Sequence, residues 1–258
     1  WLTLGMPPAA WIASMLRCET PSASEYRRST HSESGAAIIV ALVVIMLLSV
    51  MGLALVLTTS LEPAIASSYA ISTGALYAAE AGLAIAAHEL AACPDWNLLL
   101  AGQVRSSCLE VPSSGRLERP DGTVADLAAL TNLANCGHPE PCTDVELDAF
   151  TADRPWGPNN PRWQLLGLGR LDRLLPGGSA LPPFAVVVWV ADDPADTDGN
   201  PIRDTVWTPG GPSPAGAGLV QVRAEAFGSR SSHRVVVATL ARPRDRTGSG
   251  VRLVAWRE

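Results

Sequence analysis

The chain has 258 residues and a net charge of −6, with a sequence pI of about 5.3. All 19 of its basic residues are arginine and they form no basic stripe. That balance excludes an electrostatic footprint for nucleic acid and agrees with an exported protein.

Residues 1–35 are polar and basic and read as a leader peptide, left out of fold reasoning. The first residue is Trp1, so Met6 and Met15 are expected as alternative starts. At Gly35 the character changes. Residues 36–61 carry no charge, and residues 36–58 form an apolar run. At about 1.5 Å per residue that run spans roughly 35 Å, enough for a bilayer core of about 30 Å. A secretory signal has a shorter apolar core with small residues after it. Here the small residue, Gly35, comes first, so the span is expected to stay in the mature protein. Arg17, Arg27 and Arg28 precede it, and the next basic residue is Arg105. The positive-inside rule then puts the N-terminus in the cytoplasm and residues beyond about 60 outside.

From residue 61 to 92 Ala, Leu and Glu dominate, which favours helix. Leu61, Ile65, Tyr69, Ser72, Leu76, Ala79, Leu83, Ala86 and Leu90 recur at three- and four-residue spacing and form one stripe. A single helix over 36–92 is expected, on the order of 85 Å long. Pro63 is expected to bend it by removing one backbone donor. The first half, apolar all round, calls for lipid or other apolar helices. The second, apolar on one side, calls for a globular domain.

Several pieces of this helix carry a resemblance. They are Ser34-Gly35-Ala36-Ala37-Ile38-Ile39-Val40-Ala41-Leu42, then Gly52-Leu53-Ala54, then Leu76-Tyr77-Ala78-Ala79-Glu80-Ala81-Gly82-Leu83. They resemble the N-terminal region of PilX-type minor pilins over residues 34–92. Ala191-Asp192-Asp193 and Val254-Ala255-Trp256-Arg257-Glu258 give a weaker echo. The resemblance implies an α+β, type IV pilin-like fold, a long helix on a C-terminal antiparallel sheet. It also implies cleavage after Gly35 by a prepilin peptidase, N-methylation of Ala36, and assembly with other pilins through helix 36–92. Before assembly the chain would sit in inner-membrane lipid. Major pilins carry Glu at the fifth mature position, where it pairs with the amine of a neighbouring subunit; this chain has Val40. An unpaired charge in lipid costs several kcal/mol, so that pairing helps set register. Its loss points to a minor, priming or tip-proximal subunit rather than the bulk component.

Residues 93–182 are the least patterned part, corresponding to the variable region of pilins. Removing the leader removes Cys18 and leaves Cys93, Cys108, Cys136 and Cys142, all on the outer side, where disulfides persist. The short, local pairing Cys93–Cys108 and Cys136–Cys142 is preferred among three connectivities. The alternatives are free buried thiols, or zinc held by Cys136, His138 and Cys142, whose spacing is not a common zinc pattern. A short helix is expected over 124–134, begun by Asp121 or Thr123. Residues 152–162 read as turns and 165–175 as an apolar segment.

Residues 183–258 read as an antiparallel sheet. Residues 184–191 form a continuously apolar, short segment that suits a central strand buried on both faces. Residues 219–227 alternate, with Val220, Val222, Ala224 and Ala226 on one side. Residues 228–232 are a turn, and 234–240 return to complete a hairpin. Residues 251–256 are a last strand. Laid on the helix stripe, this sheet would bury both apolar faces in one core. Asp192, Asp193, Asp196, Asp198, Asn200 and Asp204 crowd the loop after the first strand. Oxygen ligands at a loop tip can hold calcium, which needs six to eight of them. The spacing is not an EF-hand's, and these residue types are also good turn formers. Calcium is thus the one cofactor expectation.

His31, His88, His138 and His233 have no partner at motif spacing, and Arg170, Asp172 and Arg173 read as a surface charge cluster. No catalytic motif stands out, so the expectation is a structural protein rather than an enzyme. The favoured function is a minor pilin in type IV pilus assembly, priming or tip function. The alternatives are a pseudopilin of type II secretion and a plain single-pass anchored domain with a binding function.

Overall fold

The computed structural model describes residues 33–149, 162–174, 182–205, 215–243 and 250–258. The expected leader lies almost wholly outside the described residues, as does nearly all of the turn-rich stretch 152–162. The chain divides into two compact units, Trp1–Leu61 and Glu62–Glu258.

Helix α1 runs Glu33–Ala92 and continues through Pro63. In the first unit its large apolar side chains are exposed, Ile38 at 62% and Leu48 at 62% among them. Five hydroxyl bonds there fold back on the helix, one of them from Thr59 Oγ1 to the Val56 carbonyl at 3.1 Å. Ser49 Oγ donates to the Ile45 carbonyl at 2.7 Å, and Thr59 Oγ1 to that of Leu55 at 3.0 Å. Thr58 Oγ1 bonds the carbonyls of Ala54 and Leu55 at 3.1 and 2.9 Å. A helix in apolar surroundings has to satisfy its polar groups internally, and these do.

In the second unit α1 is followed by α2 (Trp96–Leu100), the strand pair β1 (Arg116–Glu118) and β2 (Val124–Asp126), α3 (Leu127–Cys136) and α4 (Asp144–Asp148). Then come β3 (Gln164–Arg170), α5 (Leu171–Leu174), β4 (Ala185–Asp192), β5 (Leu219–Phe227), β6 (His233–Ala241) and β7 (Arg252–Arg257). Strands β3 to β7 form a five-stranded antiparallel meander in chain order. The architecture is α+β, as expected.

Each face of the sheet has its own core. On one face Val186, Val188 and Val190 of β4 and Val220, Val222, Ala224 and Ala226 of β5 pack on the second half of α1. The helix offers small residues there: Ala75, Ala78, Ala79 and Ala86 are each 0% exposed. Gly82 faces β4 so closely that a Cβ would lie 2.5 Å from Val186 Cγ1. Ala79, Ala86 and Leu90 of the stripe read from sequence are in this core, but its other members are not centred on it. Leu76 and Leu83 lie at its margin, half-buried against the core, while Leu61, Ile65 and Tyr69 are exposed. The reason is distance: a helix that lays small residues on a sheet comes closer, and the larger leucines move to the flanks.

On the other face Ala185, Val187, Trp189 and Ala191 of β4 pack with Leu117, Leu127, Leu130 and Trp163. Every residue of β4 is buried, as the unbroken apolar run of residues 185–191 required, and Asp192 at its end is buried with them. Trp189 Nε1 donates to Thr131 Oγ1 at 3.0 Å, and Asn135 of α3 exchanges two bonds with the backbone of Trp163. The helix expected over 124–134 therefore begins later. Residues 124–126 pair with β1, and Asp126, not Asp121 or Thr123, caps α3 by accepting from the amides of Ala128 and Ala129. Asp121 instead accepts from Thr123 within the hairpin.

Candidate functional site

Gly35 and Ala36 lie inside α1, and nothing comes within 4 Å of a Cβ placed on Gly35. Val40 is 61% exposed on the same apolar surface. Among the described residues α1 is long and apolar enough to cross a membrane, and its most apolar window is 0% buried.

The acidic loop sorts the six residues singled out as oxygen ligands. Asp192, Asp196 and Asp204 each offer a carboxylate oxygen within 4.8 Å of the others, and all three are buried. Asp193 is buried but outside this cluster; its Oδ1 accepts from the Ala195 amide at 3.3 Å. Asp198 and Asn200 are exposed and cap turns, accepting from the amides of Asn200 and Ile202. Asp196 also binds Thr205 through both oxygens, and Asp204 Oδ1 accepts from the Gly218 amide at 2.7 Å. The Asp204 amide donates to Asn97 Oδ1 at 2.8 Å, tying the loop to α2. Burial pushes the Asp204 carboxyl up to about 7; the Gly218 amide and Arg242 oppose that, and Asp196 and Asp198 add to it. The Arg242 guanidinium lies 4.3 Å above the Trp96 ring. An all-oxygen set of this kind suits a hard cation.

The cysteines divide. Cys136 and Cys142 are bonded, closing a short loop at the end of α3. That consumes the two thiols the zinc alternative required. His138 instead hydrogen-bonds Glu146 at 3.1 Å. The expected second bridge is not formed: Cys93 and Cys108 are free thiols. Cys93 Sγ donates to the Asp95 carbonyl, and the loop bearing Cys108 is held by a carboxylate rather than a bond between sulfurs. Glu89 Oε1 accepts from the amides of Ser107 and Cys108 and from the hydroxyls of Ser106 and Ser107. Burial raises the Glu89 pKa, and these bonds outweigh it, holding the carboxyl below its ordinary range.

Arg170 and Asp172 form a two-bond ion pair at 2.9 and 3.0 Å, within the surface charge cluster read from sequence, and His88 is exposed. Sequence reasoning missed a polar network on the sheet. Glu225, 5% exposed, binds Arg223 at 2.6 Å and His233 at 2.9 Å. The signal was there in the alternation of β5, which puts Glu225 on the face opposite Ala224 and Ala226.

Residues 34–84 match the family model described as PilX N-terminal. No match was found among curated proteins or among solved structures. The match covers the junction at Gly35, the apolar half of α1 and much of the face that packs on β4 and β5. Residues 34–84 are thus similar to the N-terminal region of PilX-type proteins, and they are joined to an α+β layout consistent with a type IV pilin-like fold. Pilins are structural subunits that associate with one another, and the apolar helix fits a membrane-anchored member of that class.

Proposed function

We propose that this chain is a minor subunit of a type IV pilus that acts in priming or at the tip. The observation that carries the reading is the PilX N-terminal match over an apolar helix that bears Val40 where the bulk subunits of such fibres have a carboxylate. In this reading the helix holds the chain in the inner membrane with its N-terminus in the cytoplasm. A prepilin peptidase cuts after Gly35, Ala36 is N-methylated, and the helix then packs among those of other pilins. Val40 cannot accept from the amine of the subunit ahead, so the chain starts or ends a filament more readily than it extends one. Deleting the gene tests this: pilus number falls while the diameter of the remaining pili is unchanged. Finding the chain as the bulk component of the fibre would sink the reading.

The buried carboxylates of Asp192, Asp196 and Asp204 support a second element of the proposal. Exposed to the calcium-containing exterior, they would hold a calcium ion and neutralise the charge that burial penalises. The ion would lock the loop between β4 and β5.

A further inference from the structure

The two edges of the five-stranded sheet differ. Outside β3, Glu110 and Leu168 exchange two backbone bonds at 2.8 Å, and the Ser106 amide donates to the Leu166 carbonyl at 3.3 Å. Among the described residues nothing pairs with the outer side of β7. An open edge leaves a row of backbone N–H and C=O groups that a further strand can meet.

The side chains of β7 are as open as its backbone. All six residues are exposed, Leu253 at 54%, Val254 at 47% and Trp256 at 45%. Edges that have to stay unpaired are blunted by charge or proline along their length. β7 instead carries Leu253, Val254, Ala255 and Trp256 in a row, with Arg252 and Arg257 only at its ends.

A bulge sorts these residues onto two faces. Thr239 of β6 lies opposite Ala255, but its neighbour Leu240 lies opposite Leu253, so Val254 is an extra residue on β7. Directly opposite residues share a face of the sheet. Leu240 belongs to the core on the α1 side and Val237 to the core on the other. Leu253 and Trp256, opposite Leu240 and Ala238, therefore lie on the α1 side. Arg252 and Arg257, opposite Ala241 and Val237, lie together on the other side. Strict alternation without the bulge would have put the two arginines on opposite faces. Among the described residues neither arginine has a carboxylate partner; Glu258, next in the chain, is engaged by Arg234 at 3.2 Å.

The open edge thus has one apolar face and one cationic face. We propose that β7 docks an extended segment of a partner protein as a further strand of the sheet, a segment apolar on one face and acidic on the other. Main-chain bonds along the edge supply the attachment. Apolar side chains beside Leu253 and Trp256, and carboxylates beside Arg252 and Arg257, set its register and its face. A second copy of this chain fits less well. Pairing the whole of β7 with itself puts Arg252 opposite Arg257 at both ends, and like charges directly opposite repel. The inference rests on the sheet edge alone, not on the pilin reading or the acidic loop.

The test adds a synthetic peptide of alternating glutamate and valine, about eight residues long, to the full chain in detergent micelles. NMR should show slower hydrogen exchange at amides of β7 and a shift of the Trp256 indole signal. A lysine–valine peptide of the same length should bind at least about tenfold more weakly. Arg252→Glu/Arg257→Glu should invert that preference with an unchanged melting midpoint, which a merely adhesive apolar edge would not do. Equal binding of the two peptides, no protection of β7 at millimolar peptide, or a preference that does not invert would overturn the proposal. So would a dimer that protects β7 in the absence of peptide, which would assign the edge to a second copy.

Discussion

Gly82→Ala is the most direct probe of how α1 meets the sheet. In an exposed helix the change would stabilise by about 1 kcal/mol, since alanine is the better helix former. Here the new methyl would sit 2.5 Å from Val186 Cγ1, 3.3 Å from Val188 Cγ2 and 3.5 Å from Ala224 Cβ. Ordinary carbon contacts are about 3.5–4.0 Å, so Val186 must retreat by about 1 Å. It cannot do so cheaply. Its χ1 is stiff, it is 0% exposed, and β4 is packed on both faces. Overpacking of this kind costs about 1–3 kcal/mol, and the stiffness of the site argues for the upper end. The net loss is about 2 kcal/mol. For a unit of this size that lowers the melting midpoint by roughly 4–8 °C. Thermal unfolding of the full chain in detergent, followed by near-ultraviolet circular dichroism, reads it. Gly52→Ala, with nothing within 4 Å, is the control and should not lower that midpoint. Val186→Ala should recover at least about 1 kcal/mol of the loss in a double-mutant cycle. A raised midpoint for Gly82→Ala, or a cycle without coupling, would refute the close approach of helix and sheet.

Other outcomes follow from the same structure. Alkylation of non-reduced protein should label Cys93 and Cys108 and spare Cys136 and Cys142; Cys136→Ser/Cys142→Ser should cost about 2 kcal/mol for so short a loop. Burial raises the Glu225 pKa, but the bonds from His233 and Arg223 outweigh it and set the folded value below the ordinary 4.5. Its stabilising contribution is thus complete above that pH and is lost as pH falls through the folded value, and Glu225→Gln should flatten that acid limb of a stability–pH curve. Calcium should stabilise the fold over a chelator control by about 2.7 kcal/mol at a hundredfold excess over Kd, read as a raised melting midpoint, and Asp196→Asn should abolish the rise. In the β5–β6 turn Arg230 and Ser231 hold φ of 53° and 56°, so Ser231→Gly should stabilise by about 1 kcal/mol, read in the same melts.

Much of this fold was legible because its signals are local and strong. The uncharged run after Gly35, the alternation of residues 219–227 and the unbroken apolar segment that became β4 each specify an element and its burial. The helix face was read correctly at Ala79, Ala86 and Leu90 and centred wrongly elsewhere. Hydrophobicity favoured Leu76 and Leu83, whereas the sheet selected Ala75, Ala78 and Gly82 for the room they leave. Of the layer built from β1, β2 and α3 only the helix was read, and that three residues early. Strands of three residues have no period to detect, and Trp163, Leu117 and Leu130 become a core only once β4 supplies Val187 and Trp189. The acidic loop was visible as composition, but which carboxylates turn inward is settled by contacts with Asn97, Thr205 and Gly218, distant in sequence. The free thiols were missed because Glu89 holds the Cys108 loop, a contact that loop length does not encode.

The central claim, a pilin subunit processed at the Gly35 junction, is tested most directly at the N-terminus of the protein recovered from its native cells. Mass spectrometry of that terminus should find N-methylated Ala36, and deletion of the prepilin peptidase should leave residues upstream of Ala36 in place. An N-terminus upstream of Ala36 in cells that retain the peptidase would contradict the account.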